Sequence, residues 1–225
     1  LPPRNIKTDG KVWSATNEFF AKCPAKIIGI TGTKGKGTTS SIIAALFEAA
    51  GRKVWLVGNI GIAAISILDR IQPNDIVVFE MSSFQLWDIE KSPQTAVVLL
   101  IEPDHLNVHA DMDDYVHAKA GITRHQHAGD ICVYHPTNEL SAYVAGQGNA
   151  GVKQKYAIAG GQSVYVADGA FRTDERIICS TDALHLRGDH NKENACAAIT
   201  VALQHGLSDE AIETGLREFE GLPHR

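Results

Sequence analysis

Apolar residues along this chain gather into short, nearly unbroken runs, separated by longer stretches where they recur at helical spacing. Residues 27–31, 53–57, 75–81, 95–101 and 131–134 are β-branched and apolar, with no alternation of polar and apolar positions. Such runs mark strands covered on both faces, as in a parallel sheet. Helical patterns lie between and after them: 42–50, 63–71 (ended by Pro73), 112–128, 138–145, 193–205 and 209–218, the last capped by Ser208. Gly51 fits the end of the first. A short helix over 14–22, capped by Ser14 or Thr16, precedes the first strand, and 155–159 reads as one more strand. Residues 164–186 are brief β-like runs broken by Asp168-Gly169 and Thr181-Asp182, which predicts an antiparallel addition. The expected fold is α/β, a doubly wound, mostly parallel sheet with a small antiparallel piece.

In such sheets ligands bind at the carboxyl ends of the strands, and the most informative stretch sits at one of them. After the strand 27–31 comes Gly32-Thr33-Lys34-Gly35-Lys36-Gly37-Thr38-Thr39, followed by a helical run. Glycines let backbone amides approach an anion, the helix N-terminus adds partial positive charge, and a lysine neutralises the outer phosphates. The pattern departs from G-x-x-x-x-G-K-[ST] at Ile30 and at Gly37. Thr38 and Thr39 then supply the hydroxyls for Mg²⁺ or a phosphate oxygen. Asn59, Glu80 and His105 also fall at or just past strand ends, so segments far apart in sequence converge on one cleft with Lys36.

Glu80 ends an apolar run, where a carboxylate is costly unless paired or metal-bound. It reads as a Mg²⁺ ligand or as a solvated strand end, with His105 as a second candidate ligand. Periodicity alone makes Lys119 a solvated surface lysine. Asn191 and Asn194 share one face at a helix start, as caps or as adenine or ribose contacts.

Composition narrows the class further. The 225 residues carry a net charge of −5, which argues against a protein built to bind nucleic acid. No run approaches the length of a membrane span. The four cysteines (Cys23, Cys132, Cys179, Cys196) form no C-x-x-C pair, which suits reduced thiols and a cytoplasmic setting.

Seven segments together resemble the ATP-dependent Mur ligases: Gly32 to Thr39, Gly58-Asn-Ile-Gly61, Glu80-Met-Ser-Ser-Phe-Gln-Leu86, Asp104-His105, Tyr115-Val-His-Ala-Lys119, Gly188-Asp-His-Asn-Lys-Glu-Asn194 and Gly221-Leu-Pro-His-Arg225. The third and last are most similar to the D-glutamate-adding type. The resemblance covers residues 25–225 and only the middle of the family's three domains. Residues 1–25 are then a lead-in from an N-terminal domain, and 26–225 the central ATPase domain. It implies an amide-bond ligase that joins D-glutamate to UDP-N-acetylmuramoyl-L-alanine through an acyl phosphate, using ATP and two Mg²⁺ ions, and acting as a cytoplasmic monomer on small molecules.

By the same resemblance Gly32 to Thr39 hold the nucleotide, with Lys36 on the β,γ-phosphates and Thr38 or Thr39 on the first Mg²⁺. Glu80 joins that metal. His105 binds the second with Lys119, carbamylated and so an anion. Asn59, Ser82 and Ser83 line the muramoyl side, and Asn191, Asn194 and Arg225 meet the nucleotide. Gly37 after the lysine is closer to folylpolyglutamate synthase, so a folate ligase is the alternative enzyme, and a stand-alone nucleotide-binding module the alternative class.

Overall fold

The computed structural model describes residues 13–104 and 108–221. Six parallel strands form the main sheet: β1 (Lys26–Thr31), β2 (Val54–Gly58), β3 (Ile76–Glu80), β4 (Thr95–Val98), β5 (Ile131–Tyr134) and β6 (Val152–Lys155), in the order β2-β3-β1-β4-β5-β6. The order reverses at β1, so the loop after β1 opens at a topological switch point. β1, β3 and β4 are buried along almost their whole length, as unbroken apolar runs require.

Helices cover both faces. On one lie α2 (Lys36–Ala49), α7 (Asp189–Gln204) and α8 (Asp209–Glu218), whose Ile42, Ile43, Leu46, Ile199 and Leu216 are fully buried. α8 packs so closely on α2 that a Cβ on Gly215 would stand 2.8 Å from the Leu46 Cα. On the other face lie α1 (Ala15–Lys22), α3 (Ser83–Leu86), α4 (Met112–Lys119), α5 (Gly121–Arg124) and α6 (Glu139–Gly146), around a second cluster that includes Phe19, Phe79 and Ile122. The antiparallel addition is β7 (Tyr165–Ala167), β8 (Ala170–Arg172) and β9 (Ile177–Ser180), which buries Phe171 and Cys179 beneath α7 and α8. The doubly wound fold and its small antiparallel sheet are as the sequence predicts.

Several boundaries differ. Residues 64–70 form a 3₁₀ helix (Ala64–Arg70) rather than an α-helix. The expected helix 112–128 divides into α4 and α5 and stops at Arg124, where Gln126 Nε2 turns to bond the carbonyls of Pro93 and Ile131. The sixth strand is 152–155 rather than 155–159, because it is the register of Val152 to Lys155 that pairs with β5. α3 is an unforeseen element. Its capping box joins Ser82 and Gln85, the S-x-x-Q signature visible in the sequence. All four cysteines are free, with Cys132, Cys179 and Cys196 buried. No helix among the described residues is long and apolar enough to cross a membrane.

Candidate functional site

The glycine-rich loop leaves β1 at Thr31 and enters α2 at Lys36, with Gly35 as the N-cap at φ +83°. No side chain caps this helix, so its first amides stay open to an anion. The loop is pinned from behind. Thr33 N–H donates to the Leu100 carbonyl at 2.8 Å, and its hydroxyl donates to the Glu102 carbonyl and lies 3.2 Å from the Tyr115 hydroxyl. A Cβ on Gly35 would collide with Oδ1 of Asn194, so the start of α7 lies directly against the loop.

Lys36 folds back over this loop, its Nζ donating to the carbonyls of Thr33 (2.9 Å) and Gly32 (3.2 Å). Lys119 arrives from α4 and donates to the same Gly32 carbonyl at 2.8 Å, within 3.5 Å of the Thr31 hydroxyl and 4.5 Å from the centre of the Tyr115 ring. It is 2% exposed, so the surface position that periodicity suggests is wrong. α4 faces the sheet with its Tyr115 and Lys119 side, an i, i+4 pair. Burial and then the charge of Lys36 pull the Lys119 amine down to about 7, against the opposing charge of Asp104. A lysine near that value carries a large fraction of neutral, nucleophilic amine at neutral pH.

The Thr31 hydroxyl donates in turn to the carbonyl of Met81, the residue after Glu80. Glu80 is 6% exposed at the end of β3, and its carbonyl accepts from the Asn59 amide at 3.3 Å. Lys36, Lys119, Glu80 and the Asn59 backbone are therefore tied around the ends of β1, β2 and β3. The Asn59 side chain is exposed. Ser83 is buried and its hydroxyl lies 2.9 Å from His109 Nε2, while His109 Nδ1 lies 3.3 Å from Asp114. The His109 ring stacks with Phe84 and with Trp87. Ser82 caps α3.

On the other side of the loop a cleft of about 290 Å³ is lined by Lys34, Thr38, Tyr156, Asn191, Glu193 and Asn194 among others. Thr38 faces it. Thr39 is fully buried, and its hydroxyl has no hydrogen-bond partner among the described residues. Asn191 Nδ2 donates to the Arg187 carbonyl. His105 and Arg225 lie outside the described residues. Among those described, no three His, Cys, Asp or Glu side chains form a ready metal cage. Mg²⁺ does not ask for one, since it binds through one or two protein oxygens plus substrate phosphates. The Thr38 hydroxyl and Glu80 carboxylate are donors of that kind, so the residues present fit the ion.

The fold and the glycine-rich loop at its switch point invite comparison with known proteins. The Mur ligase middle domain family matches residues 30–202. The chain belongs to that family. UDP-N-acetylmuramoylalanine--D-glutamate ligase of Clostridium kluyveri is 35% identical over 216 residues, 95% of this chain and 47% of its own length. The chain thus spans about half the length of the curated relatives it matches. Among solved structures, a UDP-N-acetylmuramoyl-L-alanyl-D-glutamate--2,6-diaminopimelate ligase superposes with a TM-score of 0.71 at 23% identity, covering 93% of this chain and 49% of that one. Escherichia coli FolC, solved with DHPP and ADP, gives 0.69 at 19% identity, covering 94% and 61%. These two share the fold of this chain.

Tyr115, His109 and Tyr156 join the site only in the folded protein. Tyr115 had a signal in its i, i+4 spacing to Lys119. Tyr156 had none, because the sequence reads as strand across 155–159 and only the structure ends β6 at Lys155. His109 had none, because its partners lie 26 residues back and 5 ahead.

Proposed function

We propose that this chain is the central ATPase domain of a Mur-type ligase that adds D-glutamate to UDP-N-acetylmuramoyl-L-alanine, with residues 1–25 leading in from another domain and 26–225 forming this one. The observation that carries the reading is the convergence of Lys36 and Lys119 on the Gly32 carbonyl, at the mouth of an uncapped helix. In this reading Gly32 to Thr39 wrap the phosphates of ATP, and Lys36 swings from its loop carbonyls onto the β,γ-phosphates. Asn191, Asn194 and Arg225 meet the nucleoside end, and Asn59, Ser82 and Ser83 the muramoyl substrate.

Phosphoryl transfer to the substrate carboxylate gives an acyl phosphate, which the amine of D-glutamate attacks with loss of phosphate. The chain's task is to hold two mutually repelling anions together and exclude water. Two Mg²⁺ ions would supply charge neutralisation, held by Thr38 or Thr39, Glu80, His105 and Lys119. Lys119 would take this part as a carbamate, formed when its neutral amine adds CO₂ and releases a proton to solvent. The protein would act as a cytoplasmic monomer on small molecules.

The test is titration of the chain with Mg-AMPPNP beside Lys36→Ala. Binding with a Kd on the order of 0.1–1 mM, lost in the variant, is expected for a domain holding part of the site. Equal binding by the variant would sink the assignment. Incubation with ¹³C-bicarbonate should add a carbamate resonance that Lys119→Arg lacks. Gly37, in place of a hydroxyl residue, favours one second reading, a folylpolyglutamate synthase-like ligase. Glutamate transfer to a folate rather than to the muramoyl substrate by the longer protein would select it.

A further inference from the structure

Tyr156 stands directly after β6 and is 2% exposed, yet it lines the cleft. Its ring meets His135 edge-on at 5.1 Å, and His135 Nδ1 lies 3.1 Å from the Thr137 hydroxyl. Burial holds His135 below its ordinary value, so this support is neutral. The phenol hydroxyl has no hydrogen-bond partner among the described residues. Burial, and then the nearby charge of Glu193, push its ionisation upward, so it keeps its proton. Glu193, on the first turns of α7, is half-buried, lines the same cleft and makes no ion pair among the described residues.

A phenylalanine would fill the space of the Tyr156 ring equally well, and no hydrogen bond among the described residues accounts for its hydroxyl. The cleft has two kinds of wall. Gly35, Thr38 and Lys34 (3.7 Å from Glu102) line it from the loop, while the Glu193 carboxylate and the Tyr156 phenol line it from α7 and the end of β6. That arrangement suits a ligand with phosphates at one end and an uncharged, donor-bearing group at the other.

We infer that Tyr156 and Glu193 form the specificity end of the cleft, the phenol donating to a nucleoside acceptor while the carboxylate accepts from an amine or hydroxyl of the same nucleoside. The inference rests on the nucleotide reading proposed above and adds the residues that select its non-phosphate half. The donor is either the exocyclic amine of the base or the ribose hydroxyls.

The experiment is NMR titration of the chain, with Mg²⁺, by ADP, IDP, 2′-deoxy-ADP and tripolyphosphate. It is run on the wild type, Tyr156→Phe, Glu193→Gln and Lys36→Ala. Loss of one hydrogen bond should weaken ADP about five- to tenfold in each of the first two variants. Tripolyphosphate should bind them as it binds the wild type, and Lys36→Ala should lose both ligands. A drop for IDP in the wild type identifies the amine as the group read, and a drop for 2′-deoxy-ADP the ribose. Because the hydroxyl has no protein partner, Tyr156→Phe should melt no lower than the wild type. Unchanged ADP affinity in both variants would overturn the inference while leaving the nucleotide reading intact. So would a parallel loss of tripolyphosphate, or a lower melting point with Tyr156→Phe, since either shows a structural role. Wild type that binds neither ADP nor tripolyphosphate would overturn both readings.

Discussion

Lys36 and Lys119 donate to one acceptor, the Gly32 carbonyl, at 3.2 and 2.8 Å. They come from different helices, 83 residues apart in sequence (119 − 36). Each makes the other's charge more costly, and burial concentrates that cost on Lys119.

That cost should show in stability against pH. The folded Lys119 releases its proton near 7, whereas an unfolded lysine holds it to about 10.5. Between those values the unfolded chain binds more protons, so stability rises as pH rises. Urea unfolding at pH 7 and 9.5 should differ by on the order of 3 kcal/mol from this group. Lys119→Met should flatten the difference, and an unchanged slope in that variant would refute the assignment.

His205 acts at the acid end. It lies 3.0 Å from the Thr95 hydroxyl and edge-on to Phe47, and burial lowers it to about 4. The unfolded residue protonates near 6.5, so stability is full above that value and declines as pH falls toward 4. The loss should reach at most about 3 kcal/mol, less for the ring's partial exposure. His205→Gln should remove this segment of the pH profile.

Thr38 and Thr39 should separate cleanly. Thr39→Val removes a buried hydroxyl that has no partner among the described residues, and should leave stability unchanged or raise it by about 1 kcal/mol. Thr38→Val should instead reduce the Mg²⁺ dependence of nucleotide binding. Calorimetric melting of both variants, with titrations at two Mg²⁺ concentrations, checks the pair.

Gly58 has no tolerance for a side chain. Its φ is +115°, and a Cβ would run into the Glu80 carbonyl oxygen on the neighbouring strand. Gly58→Ala should cost roughly 3 kcal/mol or more, whereas Gly51→Ala, at φ +72° with open space around it, should cost about 1 kcal/mol. Equal denaturation midpoints for the two would contradict this.

Ser83 and His109 should be energetically coupled. Their 2.9 Å contact is buried, with Asp114 behind the imidazole. A double-mutant cycle of Ser83→Ala and His109→Gln should give a coupling of about 1 kcal/mol. Additive effects would mean that the bond contributes nothing.

The sequence by itself determined the layers of this protein and the place of its site. Unbroken apolar runs can be satisfied only by strands covered on both faces, and a glycine-rich stretch between such a strand and a helix has little else to become. Hence β1, the loop, α2 and the strand-end position of Glu80 were legible locally. Only the tertiary structure decided which side chains are dry. Lys119 reads as a surface lysine because helical periodicity cannot say which helix face the sheet will cover, and its pKa is lowered only once folding buries it and brings Lys36 near. The 3₁₀ segment at 64–70, the break after α4 and the register of β6 depend on partners distant in sequence. Tyr156 likewise becomes a candidate reader of ligand only when α7 brings Glu193 to the same cleft, a proximity that chain folding creates and local spacing does not encode.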